Sequence, residues 1–98
     1  MNDTIDTLHP RGKPGVNILR TKYDAVAEAI TEAILEHEQI GFAELVDEVE
    51  ANITGDLGAS VRWYVNVVKL DLETRGVIER LPGRGPQKLR LVPHYTSR

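Results

Sequence analysis

A chain of 98 residues, 41% apolar and 28% charged, has the make-up of one globular domain, too small to spare core for an enclosed cofactor cavity. The absence of cysteine excludes disulfides, thiolate metal sites and thiol nucleophiles, and fits a reduced, cytoplasmic setting. The net charge of −3 is unevenly divided: residues 1–59 hold four Lys/Arg against twelve Asp/Glu (−8), and residues 60–98 hold eight against three (+5), so a polyanion would be met by the C-terminal part.

The opening MNDTIDTLHPRGKPG lacks the basic and apolar regions of a signal peptide. Pro10, Gly12, Pro14 and Gly15 break any helix there, and residues 1–20 are predicted as an extended arm carrying Ile5, Leu8, Val16, Ile18 and Leu19. No apolar run approaches the ~20 residues that span a bilayer, so no membrane association is expected.

From Thr21 to about His37, Tyr23, Val26, Ala27, Ile30, Ala33 and Ile34 recur at helical spacing, with Thr21 as the expected N-cap and Asp24 as its reciprocal partner. Asp24, Glu28, Glu32 and Glu36 line the opposite face, where like charges four residues apart repel and require solvent. QIGF is long enough for one rung of a small sheet. A second helix follows over Ala43 to Ile53, ended by the Gly- and Asp-rich TGDLGAS, whose Ser60 is placed to cap a third.

That third helix, Ser60 to Arg75 with its stop at Gly76, has two apolar faces. At about 100° per residue Val61, Val65, Val68 and Leu72 form a core stripe, while Trp63, Val67 and Leu70 fall nearly opposite and Arg62, Asn66, Lys69 and Glu73 fill the arc beside them. The second face has three possible covers: the N-terminal arm, a twofold copy of the chain, or a separate protein anchored on Trp63. After Gly76 the period becomes alternating through VIER and KLRL, joined by PGRGP, which predicts a hairpin. Residues 93–98 are expected as a flexible tail.

The stretches IGFAELVDEVEANI and SVRWYVNVVKLDLETRGVIERLPGRGPQKLRL, in this order, resemble the winged helix-turn-helix superfamily. The whole is similar to small uncharacterised bacterial proteins of winged-helix type. The resemblance implies an α+β, mainly α fold over residues 21–92, with three helices and a small antiparallel sheet whose C-terminal hairpin is the wing. It also implies a DNA-binding, transcription-regulatory role, with the third helix in the major groove and the wing on phosphate. Carried over position by position, Ser60, Arg62, Asn66 and Lys69 become groove-facing, Arg84 and Lys88 wing contacts, and Arg80 and Arg90 further phosphate contacts. Arg62 and Asn66 suit guanine and adenine edges.

Against double-stranded DNA stand Asp71 and Glu73 on the same helix and the apolar Trp63, Val67 and Leu70. The alternative is a protein-interaction or homodimerisation module using the face around Trp63. Catalysis finds no support: His9, His37 and His94 have no metal-ligand spacing, GRGPQK lacks the setting of a phosphate loop, and Ser60 and Ser97 have no placed base. No metal, cofactor or enzymatic activity is expected.

Overall fold

Helical and alternating periodicities divide the chain where they change. The computed structural model describes residues 3–53, 57 and 60–93. In order these form β1 (Thr4–Asp6), β2 (Asn17–Leu19), α1 (Arg20–His37), β3 (Gln39–Gly41), α2 (Phe42–Asn52), α3 (Val61–Thr74), β4 (Ile78–Arg80) and β5 (Lys88–Leu91). The class is α+β, with three helices and two small antiparallel sheets. No helix among the described residues is long and apolar enough to cross a membrane.

The core lies where the apolar stripes of the helices meet the inner face of the second sheet. Tyr23, Val26, Ile30, Ala33 and Ile34 from α1 pack with Leu45, Val46 and Val49 from α2 and Val65, Val68 and Leu72 from α3. The sheet adds Ile40, Ile78 and Leu89, each removed from water at a gain of about 1.5–3 kcal/mol per large side chain. Asp24, Glu28, Glu32 and Glu36 stand exposed along the outer face of α1, where water screens their repulsion.

The second sheet has the order β3-β5-β4, all antiparallel. Ile40 pairs with Leu89, and Arg80 with Leu89 from the other side, so β5 is the central strand and its Lys88 and Arg90 point away from the core. Register also sets Glu79 opposite Arg90, and their side chains meet at 2.6 Å.

The N-terminal residues expected as an extended arm are folded: β1 and β2 pair as a hairpin, with Ile5 opposite Ile18. Ile18 enters the main core. This hairpin also moves the start of α1. The first helical residue is Arg20, not Thr21, and Leu19 stands at the cap without a side-chain hydrogen bond. The amide of Arg20, a helix-end donor with no partner inside the helix, donates to the Asp3 carbonyl at 2.8 Å, just ahead of β1.

Ser60 caps α3 as expected, its Oγ accepting from the Trp63 amide at 3.3 Å. At the other end Gly76, with φ 79°, takes the left-handed turn that lets the Val77 amide donate to the Leu72 carbonyl at 2.9 Å. Most of TGDLGAS lies outside the described residues; Leu57 within it is buried, and its carbonyl accepts from Lys22 Nζ at 2.6 Å. Residues 94–98 of the expected tail lie outside the described residues.

Candidate functional site

α3 presents one face of its N-terminal half to solvent. Arg62, Trp63 and Asn66 are exposed there, with the Arg62 guanidinium 5.1 Å from the centre of the Phe42 ring at the start of α2. Two adjoining depressions share Phe42 and Asn66. One of about 380 Å³ is completed by Ser60, Arg62 and Trp63, the other, of about 330 Å³, by Lys69, Leu70, Arg80 and Gln87. Together they follow the outer face of α3 towards the base of the β4–β5 hairpin.

Lys69, expected to face a DNA groove, does not reach the surface. It is 3% exposed, and its Nζ donates to Glu73 Oε2 at 3.0 Å and to Gln87 Oε1 at 3.3 Å while lying 5.6 Å from the Phe42 ring centre. Burying an ammonium is costly unless it is paired and hydrogen-bonded, and these three partners meet that need. Two of its three N–H donors are engaged within the protein.

The two acids that argued against DNA are also internal. Glu73 accepts from Lys69 on one oxygen and, at 2.7 Å, from Arg80 Nε on the other. Asp71 is fully buried. It accepts from the Tyr23 hydroxyl, from the Leu8 amide at 2.8 Å and from Arg75 Nε at 2.7 Å, and so joins α1, α3 and the N-terminal hairpin. Burial first, then the hydrogen bond to the Asp71 carboxylate, raises the Tyr23 pKa well above its ordinary value; the same carboxylate raises that of Arg75.

On the β4–β5 hairpin the expected contacts separate into two kinds. Arg80 is held by Glu73 and Arg90 by Glu79, whereas Arg84 and Lys88 are exposed and make no ion pair among the described residues. Of the eight residues expected at DNA, the structure thus leaves Arg62, Asn66, Arg84 and Lys88 with side chains presented outward, keeps Ser60 as a cap, encloses Lys69 and engages Arg80 and Arg90 internally.

The apolar face divides as well. Val67 and Leu70 are partly buried and line a pocket with Thr7, Leu8, His9, Pro14, Gly15 and Val16, so the N-terminal hairpin covers them. Trp63 is not in that pocket and stays 42% exposed, its ring edge-on to Tyr64 at 5.0 Å.

One cluster was not visible in local spacing. Glu36, His37 and Glu48 bring ligand-type atoms within 4.8 Å of one another, with His37 Nε2 3.6 Å from each carboxylate. Glu48 comes from α2, and only the reversal of the chain through β3 sets it beside the end of α1. All three are at least partly exposed, which suits ion pairs formed when His37 carries a proton.

Residues 4–89, from β1 into β5, match the model described as "Family of unknown function (DUF6958)". The match begins in the N-terminal hairpin, which therefore lies within the matched unit. No curated protein and no solved structure matches the chain.

Proposed function

Since the chain belongs to DUF6958, a family of unknown function, its role has to be argued from its own surface, and we propose that it is a winged-helix domain that binds double-stranded DNA in a transcription-regulatory role. The element order α1, β3, α2, α3, β4, β5 and the sheet order β3-β5-β4 support the winged-helix reading, with β4–β5 as the wing. α3 is the reading helix: Arg62 and Asn66, one turn apart, suit guanine and adenine edges in the major groove. Arg84 and Lys88 grip phosphate from the wing.

The observation that carries this reading is the pairing of charges on α3. Asp71 and Glu73 are neutralised inside the protein, while Arg62 on the outer face of α3 and Arg84 and Lys88 on the wing are exposed and make no ion pair among the described residues. The negative total charge is borne largely by α1 and α2, and at physiological salt its reach is limited to about 8 Å. No membrane, metal or cofactor enters this role, and the cytoplasm is its setting.

The test is duplex binding as a function of salt. Arg84→Ala combined with Lys88→Ala weakens binding and flattens the slope of log K against log salt by roughly 1.8, about 0.9 for each lost phosphate contact. Absence of wild-type binding to random duplex at low salt overturns the proposal.

A second reading rests on Trp63, whose exposure beside the Phe42 depression suits a protein partner or a second copy of the chain. Under it Trp63→Ala changes the species seen in sizing and leaves DNA titrations silent.

A further inference from the structure

We propose that the N-terminal hairpin is a second basic finger, and that Arg11 and Lys13 contact the DNA phosphate strand on the side of α3 opposite the wing. This rests on the DNA-binding reading above and extends it to a region outside the winged-helix elements.

Leu70 shows the arrangement. On one side it lines the pocket closed by the loop between β1 and β2; on the other it lines the depression closed by Arg80 and Gln87 at the base of the wing. The outer face of α3 therefore runs between two hairpins. An α-helix is about 10–12 Å across with its side chains, and the major groove is about 12 Å wide. A helix that fills the groove brings whatever flanks it against the two bordering phosphate strands, one on each side.

The two loops have matching chemistry. Pro10-Arg11-Gly12-Lys13-Pro14 and Pro82-Gly83-Arg84-Gly85-Pro86 each set a basic tip between two prolines, and neither residues 7–16 nor residues 81–88 contain an acid. Arg11 and Lys13 are exposed and make no ion pair among the described residues. Prolines on both sides limit the freedom a loop must lose on binding.

The N-terminal loop is also anchored to the reading helix. The Leu8 amide donates to Asp71 of α3 at 2.8 Å, the Thr7 amide to the Val16 carbonyl at 2.9 Å, and the Val16 amide back to Thr7 Oγ1 at 2.9 Å. Gly15 packs so tightly on Thr7 that a Cβ there would stand 1.9 Å from the Thr7 carbonyl oxygen. The basic tip is thus carried at a set place beside Val67 and Leu70.

The experiment compares three proteins on one random duplex across a salt series: wild type, Arg11→Ala with Lys13→Ala, and Arg84→Ala with Lys88→Ala. The expected result is that each double variant flattens the salt slope by roughly 1.8 and that the two losses add. Unchanged thermal unfolding of the first variant checks that the hairpin is intact. If wild type binds and the wing variant is weakened but Arg11→Ala/Lys13→Ala keeps the wild-type slope, the second finger is overturned and the DNA-binding reading stands. If wild type does not bind, both fall.

Discussion

The Tyr23 hydroxyl donates to the Asp71 carboxylate across the α1–α3 interface, and the acceptor is fully enclosed. Asp71 also accepts hydrogen bonds from the Leu8 amide and from Arg75. Replacing it by alanine leaves the buried Tyr23 hydroxyl, the Leu8 amide and the Arg75 guanidinium without their acceptor, at a cost of about 3 kcal/mol or more. Tyr23→Phe removes one bond to a charged group, at about 2 kcal/mol. Urea unfolding of both variants measures the difference, and equal midpoints for Asp71→Ala and wild type would contradict the role of this carboxylate.

The same pair predicts a response to alkali. Tyr23 holds its proton more firmly in the folded chain than in the unfolded one, chiefly through burial. Stability from this source is complete below the unfolded tyrosine value of ~10 and drains away as pH rises beyond it. Unfolding free energy measured from pH ~8 to pH ~11 falls above pH ~10, and the fall is shallower in Tyr23→Phe.

Lys69 supports the fold. Lys69→Ala removes a buried partner of Glu73 and Gln87 and the cation over Phe42, while Arg80 still holds Glu73, so the loss is about 1–3 kcal/mol. Thermal or urea unfolding reads this loss. A variant as stable as wild type would return Lys69 to the surface.

Glu38 ends α1 with φ 64° and ψ −50°, a conformation that side chains rarely adopt. Glu38→Gly relieves this and stabilises the protein by about 1 kcal/mol after allowing for the greater freedom of glycine in the unfolded chain. A raised urea midpoint is the expected outcome, and a lowered one contradicts it.

Trp63 is the single tryptophan, so its fluorescence reports one place. Half-exposed beside the Phe42 depression, it is quenched by acrylamide in the free protein and protected when duplex DNA covers α3. Protection already present in the free protein, growing with protein concentration, would favour self-association.

What the sequence made legible were features set by near neighbours. The stripe of Val65, Val68 and Leu72, the Ser60 cap, the Gly76 stop and the alternation around Leu89 all follow from spacing within one element, and all are in the fold. Lys69 departs from the expected groove face, and Asp71 is enclosed, because burial of a charge is decided by partners distant in sequence: Gln87 for one, Tyr23 and Leu8 for the other. The N-terminal hairpin is not legible because strands of three residues are too short to show a period, and it is held by β1–β2 pairing, by the bonds between Thr7 and Val16 and by Ile18 in the core. Of the proposed DNA face, Arg62, Asn66, Arg84 and Lys88 are exposed. Arg80 and Arg90 differ because α3 supplies Glu73 to the one and the neighbouring strand β4 supplies Glu79 to the other.

Two residues apart on a helix means about 200° around its axis, so Lys69 and Asp71 leave α3 on opposite sides. One is fastened at the base of the wing and the other beneath the N-terminal hairpin. α3 is thereby pinned against rolling, since any rotation would pull one charge off its partners into apolar packing. The azimuth of Arg62 and Asn66 is thereby fixed by the fold itself, as the bitting of a key is fixed by its blank.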